Sequence, residues 1–197
     1  MTGNRLPQEV EPIKNIKDIK RIKQYLLGKQ SKRDYLMFVL GINVGLRIGD
    51  LLSLKIDDVR DMDKEKIKRA VHIREQKTGK YREFELNQAA RDAIYFYLGT
   101  LADFRGDDWL FPSRKGTGPL TTRAAHKIIK TTLRDLGIKG NYGTHSLRKT
   151  FGYHRYVNNV KLETLQRVFN HSSPATTLRY IGITKETIID AYNSVNL

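Results

Sequence analysis

The 197-residue sequence contains no cysteine, which excludes a disulfide framework, a thiolate nucleophile and any zinc site built on sulfur. It has no apolar run near the roughly 20 residues that a membrane-spanning helix requires, and Met1-Thr-Gly-Asn-Arg5 lacks the apolar centre of a secretory signal. The expected compartment is the cytoplasm. Internal repeats and low-complexity tracts are absent as well. Acidic residues are in short supply: 21 Asp and Glu stand against 36 Lys and Arg, a formal charge of +15. So basic a surface attracts polyanions through its field and through counterion release, so nucleic acid is the first partner to consider. Hydrophobic residues make up 39% of the chain, enough for one real core at this length.

Hydrophobic spacing puts most of the chain in helices. Residues 1–14 are polar, carry Pro7 and Pro12 and read as a tail or linker. Asn15 caps a helix to about Leu27 in which Ile16, Ile19, Ile22 and Leu26 form a stripe, with Gly28 at the exit. Ser31, with Asp34 three residues on, opens a second helix apolar enough for deep burial (Leu36, Phe38, Val39, Leu40, Ile42, Val44), which breaks at Gly45. Arg47 then begins a short helix, Ile48 to Leu54, with Asp50 one turn on to hold it through a carboxylate. From Val59 to Leu86 the period falls to about two. Strands near Val59 to Met62, through Ala70 to Ile73 and from Tyr81 to Leu86 predict a small three-stranded antiparallel sheet, its tip carrying Lys77 and Lys80 around Gly79.

Helix returns from Gln88 to about Leu101. The Gly- and Pro-rich stretch Trp109 to Pro119 reads as a surface loop, and Thr121 or Thr122 caps a helix that Gly137 ends. Helices follow around Ser146 to Asn158, Leu162 to Phe169, Ala175 to Ile181 and Thr184 to Asn193. The expected fold is α+β and mainly α, one unit over residues 15–183 followed by a terminal helix or tail, 184–197.

Chemistry-bearing residues concentrate near the carboxyl end. His145 and Arg148, three apart, share a helix face on which a phosphate could bond both. His171 is followed by Ser172, Ser173, Thr176 and Thr177, able to cap the short helix that ends near Tyr180. The Asp57, Asp58, Asp61, Asp63 cluster lacks the glycine and distal Glu of a calcium loop and reads as a solvated turn. No metal or cofactor is expected.

Taken together, Gly45-Leu-Arg-Ile-Gly-Asp50, Lys77-Thr-Gly-Lys80, Leu110-Phe-Pro112, His145-Ser-Leu-Arg148 and His171 with Tyr180 nine residues on resemble the catalytic domain of the tyrosine recombinases, the phage integrase family. The resemblance runs from about Ile16 to Ile189. It implies a metal-independent, site-specific DNA recombinase that forms a 3′-phosphotyrosyl intermediate on double-stranded DNA. Its working form would be a tetramer on paired sites, aided by DNA-bending accessory proteins and associated with the nucleoid. Tyr180 would be the nucleophile, Arg47 and Arg148 the phosphate receptors and Lys77 the acid for the leaving 5′-oxygen, with Lys80 as the alternative acid. His145 would assist proton transfer, His171 would hydrogen-bond the phosphate and Asp50 would steady Arg47.

Typical relatives clamp DNA with a further helical domain, whereas about 15 residues precede the first helix here. The chain is thus a fragment or a short member, with weaker DNA affinity expected either way. Residues 184–197 could dock on a neighbouring protomer or fold back on their own, with Tyr192 as packing. His72, His126 and His154 match no motif. A type IB topoisomerase shares this chemistry, but the compact spacing of His171 and Tyr180 favours the recombinase. A silent DNA-binding regulator would not need the full set of residues.

Overall fold

A computed structural model describes residues 9–183 of the chain. The order of elements is α1 (Ile16–Gly28), α2 (Lys32–Val44), α3 (Ile48–Leu52), α4 (Ile56–Val59), β1 (Arg60–Asp61), β2 (Lys66–Ile67), β3 (Ala70–Arg74), β4 (Tyr81–Glu85), α5 (Gln88–Leu98), α6 (Thr122–Asp135), α7 (Thr144–Val157), α8 (Leu162–Phe169) and α9 (Pro174–Tyr180). The terminal helix expected from Thr184, and any docking role for it, lie outside the described residues.

Helix α2 is the axis. Nearly all its residues from Leu36 to Val44 are buried, because α1, α3, α5 and α7 pack around it. Each large apolar side chain so enclosed contributes about 1.5–3 kcal/mol, which explains why the most apolar segment takes the centre. Around it the helices are amphipathic: Ile19, Ile22 and Leu26 of α1, and Ala125, Ile129 and Leu133 of α6, face inward. Local caps set their starts. Asn15 accepts from Lys17 N at 2.8 Å and Thr121 from Ala124 N at 3.2 Å.

The strands depart from the expectation. Instead of one three-stranded sheet there are two separate two-stranded hairpins, β1 with β2 and β3 with β4. The extended run from Lys66 to Arg74 changes partner partway: Lys68 N donates to Val59 O at 2.8 Å, whereas Leu86 N donates to Arg69 O at 2.7 Å. Each half of the run satisfies its backbone with a different neighbour, so no strand lies between the other two. In the second hairpin Ala70 faces Glu85 and Arg74 faces Tyr81, while Val71 and Phe84 turn into the core. The stretch read as a surface loop differs only at its start, residues 112–119 being exposed or half-buried. Leu110 and Phe111 are fully buried, and Leu110 N donates to Leu54 O at 2.9 Å. Two apolar residues outweighed the Gly and Pro around them.

Phe151, Leu165, Phe169 and Ile181 form a second, smaller hydrophobic cluster, against which Tyr180 packs. Gly152 permits it: a β-carbon there would stand 2.6 Å from both Ile181 and the Phe169 ring. The carboxyl-terminal helices thus hold together around their own core, joined to the main one along α7.

Candidate active site

Gly45 ends α2 with φ +63 and lies against the Phe151 ring, leaving no room for a side chain. The turn aims its carbonyl at α7, where Arg148 Nη1 donates to it at 2.5 Å and Nη2 reaches Phe169 O at 3.3 Å. The guanidinium stacks over Phe169, 4.9 Å from the ring centre, and Arg148 is 4% exposed. Burial lowers it to about 10, so it stays charged at neutral pH.

Two residues after Gly45, Arg47 precedes the first residue of α3. Its Nη1 lies 2.8 Å from Glu75 Oε2 but 4.0 Å from Asp50 Oδ2. The approach to Glu75 is close in distance and poor in direction, so among the described residues Nη1 is buried without a hydrogen-bond acceptor. A buried guanidinium nitrogen with an unused proton is a ready receptor for an anionic oxygen. Asp50, expected to steady Arg47, sits nearby but turns its Oδ1 to Gln76 N at 2.9 Å, tying the β3–β4 loop to α3.

The residue that sequence reasoning missed is Glu75, last before that loop. It is buried and its carboxylate gathers three partners: Arg47, Arg82 Nη1 at 3.2 Å and Thr78 Oγ1 at 2.7 Å. Burial opposes its ionisation, but these three outweigh burial and hold it at about 2. The available signal was a lone acid amid Arg74, Lys77, Lys80 and Arg82. Through Glu75 and Asp50, the loop bearing Lys77 and the helix bearing Arg47 are fastened as one piece. Lys77 is exposed on that loop, and its charge reaches His145. Lys80 lines a groove with Arg155 and Arg167 instead. The acidic turn is structural: Asp58 caps α4 through Lys55 N at 2.7 Å and Asp61 accepts from Lys64 N at 3.1 Å.

His145 lies in the first turn of α7. Desolvation, then Arg148, Lys149, Arg47 and Lys77, push it below its usual value. His171 is lowered by burial and then by Arg148 and Arg47. Its Nδ1 sits 3.1 Å from the hydroxyl of Thr177, itself fully buried in α9. Ser173 caps α9, accepting from Thr176 N at 3.2 Å. Tyr180, the last residue of α9, packs its ring 4.9 Å from His171 and 5.2 Å from Phe169. Burial raises its phenol; Arg148 and Arg47 pull it back in part. The aromatic contacts fix where the ring points, and the arginines make that place electropositive.

Arg47, His145, Arg148, His171 and Tyr180 therefore converge, from the start of α3, from α7 and from the α8–α9 segment, with Lys77 at the rim. The profile of the phage integrase family matches residues 13–187, and the chain belongs to that family. It is 39% identical over 183 residues to the Bacillus subtilis (strain 168) protein named "Probable integrase/recombinase YoeC", covering 93% of this chain and 95% of that one. It is 26% identical over 193 residues to the tyrosine recombinase XerA of Pyrococcus furiosus, covering 98% of this chain and 65% of that one. Among solved structures, a XerA recombinase superimposes with a TM-score of 0.73 at 23% identity, covering 98% of this chain and 66% of that one. The catalytic domain of bacteriophage HP1 integrase superimposes with a TM-score of 0.56 at 18% identity, covering 94% and 95%. The chain thus spans nearly all of YoeC and about two thirds of XerA. Among the described residues no helix is long and apolar enough to cross a membrane.

Proposed function

We propose that this chain is the catalytic domain of a site-specific DNA recombinase that cuts and rejoins one strand at a time through Tyr180. The Tyr180 oxygen attacks a phosphodiester phosphorus, an O–P bond forms to the 3′ side, and the bond to the 5′-oxygen breaks. Lys77 gives that oxygen its proton, and neutral His145 receives the proton of the phenol. Arg47 and Arg148 hold the non-bridging oxygens with His171 beside them, supplying fixed positive charge where negative charge grows. This field does the work a metal ion does in other phosphoryl transferases, so no step needs one. The observation that carries the reading is the packing of half-buried Tyr180 beside buried Arg148 and half-buried Arg47, whose Nη1 makes no well-directed hydrogen bond among the described residues.

The partner is double-stranded DNA in the cytoplasm, at the nucleoid. Solved relatives support the DNA partner: one is the XerH site-specific recombinase bound to palindromic difH substrate in a post-cleavage complex. Assembly as a tetramer on paired sites, with DNA-bending helpers, completes the proposal. The test uses a nicked suicide duplex, selected from a randomised library by binding, in parallel with and without EDTA. The wild type is expected to give a covalent protein–DNA band that Tyr180→Phe does not. A band that survives Tyr180→Phe would overturn the nucleophile, and a band that EDTA removes would overturn the metal-free mechanism.

A further inference from the structure

Lys149 follows Arg148 on α7 and has no part in the mechanism above, yet it is 5% exposed. A lysine is costly to bury without an anionic partner. Its partner comes from far away in sequence: Nζ lies 3.1 Å from Glu9 Oε2. The same Nζ stands over the Tyr180 ring, 5.1 Å from its centre. One buried cation therefore faces the tyrosine on one side and an exposed carboxylate on the other.

Glu9 belongs to a strap, residues 9–13, laid along α7. Glu11 N donates to Asn141 O at 2.8 Å, Ile13 N donates to Thr150 Oγ1 at 2.8 Å, and His154 Nε2 meets Ile13 O at 2.9 Å. Ile13 is buried in the main core. Pro12 packs so closely on Gly182, two residues beyond Tyr180, that a β-carbon on Gly182 would stand 2.9 Å from its ring. The strap thus touches the Tyr180 segment both through Lys149 and directly.

We propose that Lys149 is a positioning residue for Tyr180, and that Glu9 restrains it, so that displacement of the strap from α7 activates the tyrosine. The inference rests on Tyr180 being the nucleophile. A cation over a phenol ring attracts it, and attracts the phenolate more strongly. While Glu9 holds Lys149, that attraction is shared with a carboxylate, which itself disfavours the phenolate. When the strap lifts, the phenolate is the nearest anion left to Lys149. The charged groups facing Tyr180 are Arg148 and Lys149 from α7, Arg47 from the start of α3, His171 from the α8–α9 turn and Glu9 from the strap. Of these, Glu9 is the one on the segment that leads into the domain. Whatever precedes the domain, or draws the strap onto DNA, would then set the readiness of the nucleophile.

The test places 3-fluorotyrosine at position 180 of the full chain and follows its ionisation by fluorine NMR. Glu9→Gln, a change at an exposed side chain, is expected to raise the ionisation constant of Tyr180 by about three- to tenfold, and Lys149→Met to lower it by a similar factor. Lys149→Arg keeps the charge and is expected to stay near the wild type, which covers the case in which Lys149→Met does not fold. In the double variant the Glu9→Gln effect is expected to shrink to the small direct repulsion between Glu9 and the phenolate. Single-turnover cleavage of the suicide duplex should follow the same order. An unchanged titration in Glu9→Gln would overturn the proposal, as would an unchanged titration in a folded Lys149→Met or a Glu9→Gln effect that is undiminished without Lys149. These titrations need no activity: if covalent trapping survived Tyr180→Phe, the recombinase reading would fall and they would still measure the coupling.

Discussion

Glu75→Gln isolates the buried acid that pairs with Arg47 and Arg82. A carboxyl held at about 2 instead of its ordinary 4.5 is stabilised by about 3 kcal/mol, at about 1.4 kcal/mol for each factor of ten in the ionisation constant. Solvent at the hairpin rim screens part of this, leaving about 1–3 kcal/mol. Glutamine keeps the shape and one acceptor but removes the charge that Arg47 and Arg82 face, so two partly buried guanidinium groups lose their counter-ion. Since the folded state binds the Glu75 proton less readily than the unfolded chain, its contribution is complete above the unfolded value. It is lost as pH falls toward the folded value. The assay is urea unfolding of wild type and Glu75→Gln in parallel between pH 3 and pH 7. Their difference is expected to be about 1–3 kcal/mol at pH 7 and to shrink steadily below about 4.5. A difference that stays flat across this range, or that is absent at pH 7, would refute the argument that Glu75 is the charged anchor of Arg47 and the hairpin.

The remaining predictions concern the groups proposed to be catalytic and their support. Arg148→Lys should reduce cleavage at least 100-fold while leaving DNA binding largely intact, because an ammonium cannot copy the fork that bonds Gly45 O and a phosphate together; gel-shift and cleavage assays on one duplex check it. Desolvation and then the neighbouring cations hold His145 below 6.5, so it is already neutral at pH 7, and the acid limb of the cleavage rate should lie below that value. A limb above 6.5 would remove His145 as the proton acceptor. Phe169→Ala should cost about 3–5 kcal/mol in unfolding and slow cleavage beyond what stability explains, since Phe169 touches Arg148, His171 and Tyr180 alike.

Much of the fold was legible because its determinants are local. A cap bonds a backbone group two or three residues away, so Asn15, the Thr121–Thr122 pair and the Ser and Thr residues after His171 announce α1, α6 and α9 in the sequence, and the structure selects Thr121 and Ser173. The all-round apolar content of α2 announced its burial, and the αL turn at Gly45 its end. Helical spacing put His145 and Arg148 on one face, and the order of motifs assembled the remaining site residues. The strand pairing was less legible. A two-residue strand carries too little pattern to say which neighbour completes its ladder, and the run from Lys66 to Arg74 in fact takes two.

What local rules could not reach were contacts between segments distant in the chain. No spacing rule joins Arg47 to Glu75 in preference to Asp50; the choice depends on how the β3–β4 hairpin lies on α3, and Asp50 is drawn away by Gln76. Nor does any rule join Lys149 to Glu9, 140 residues away. The sequence specified which groups are present and which helices carry them, because those properties rest on neighbours within one or two turns. Packing around α2 decided which charges meet, because burial makes each cation accept the nearest available anion, and nearness is a property of the folded chain.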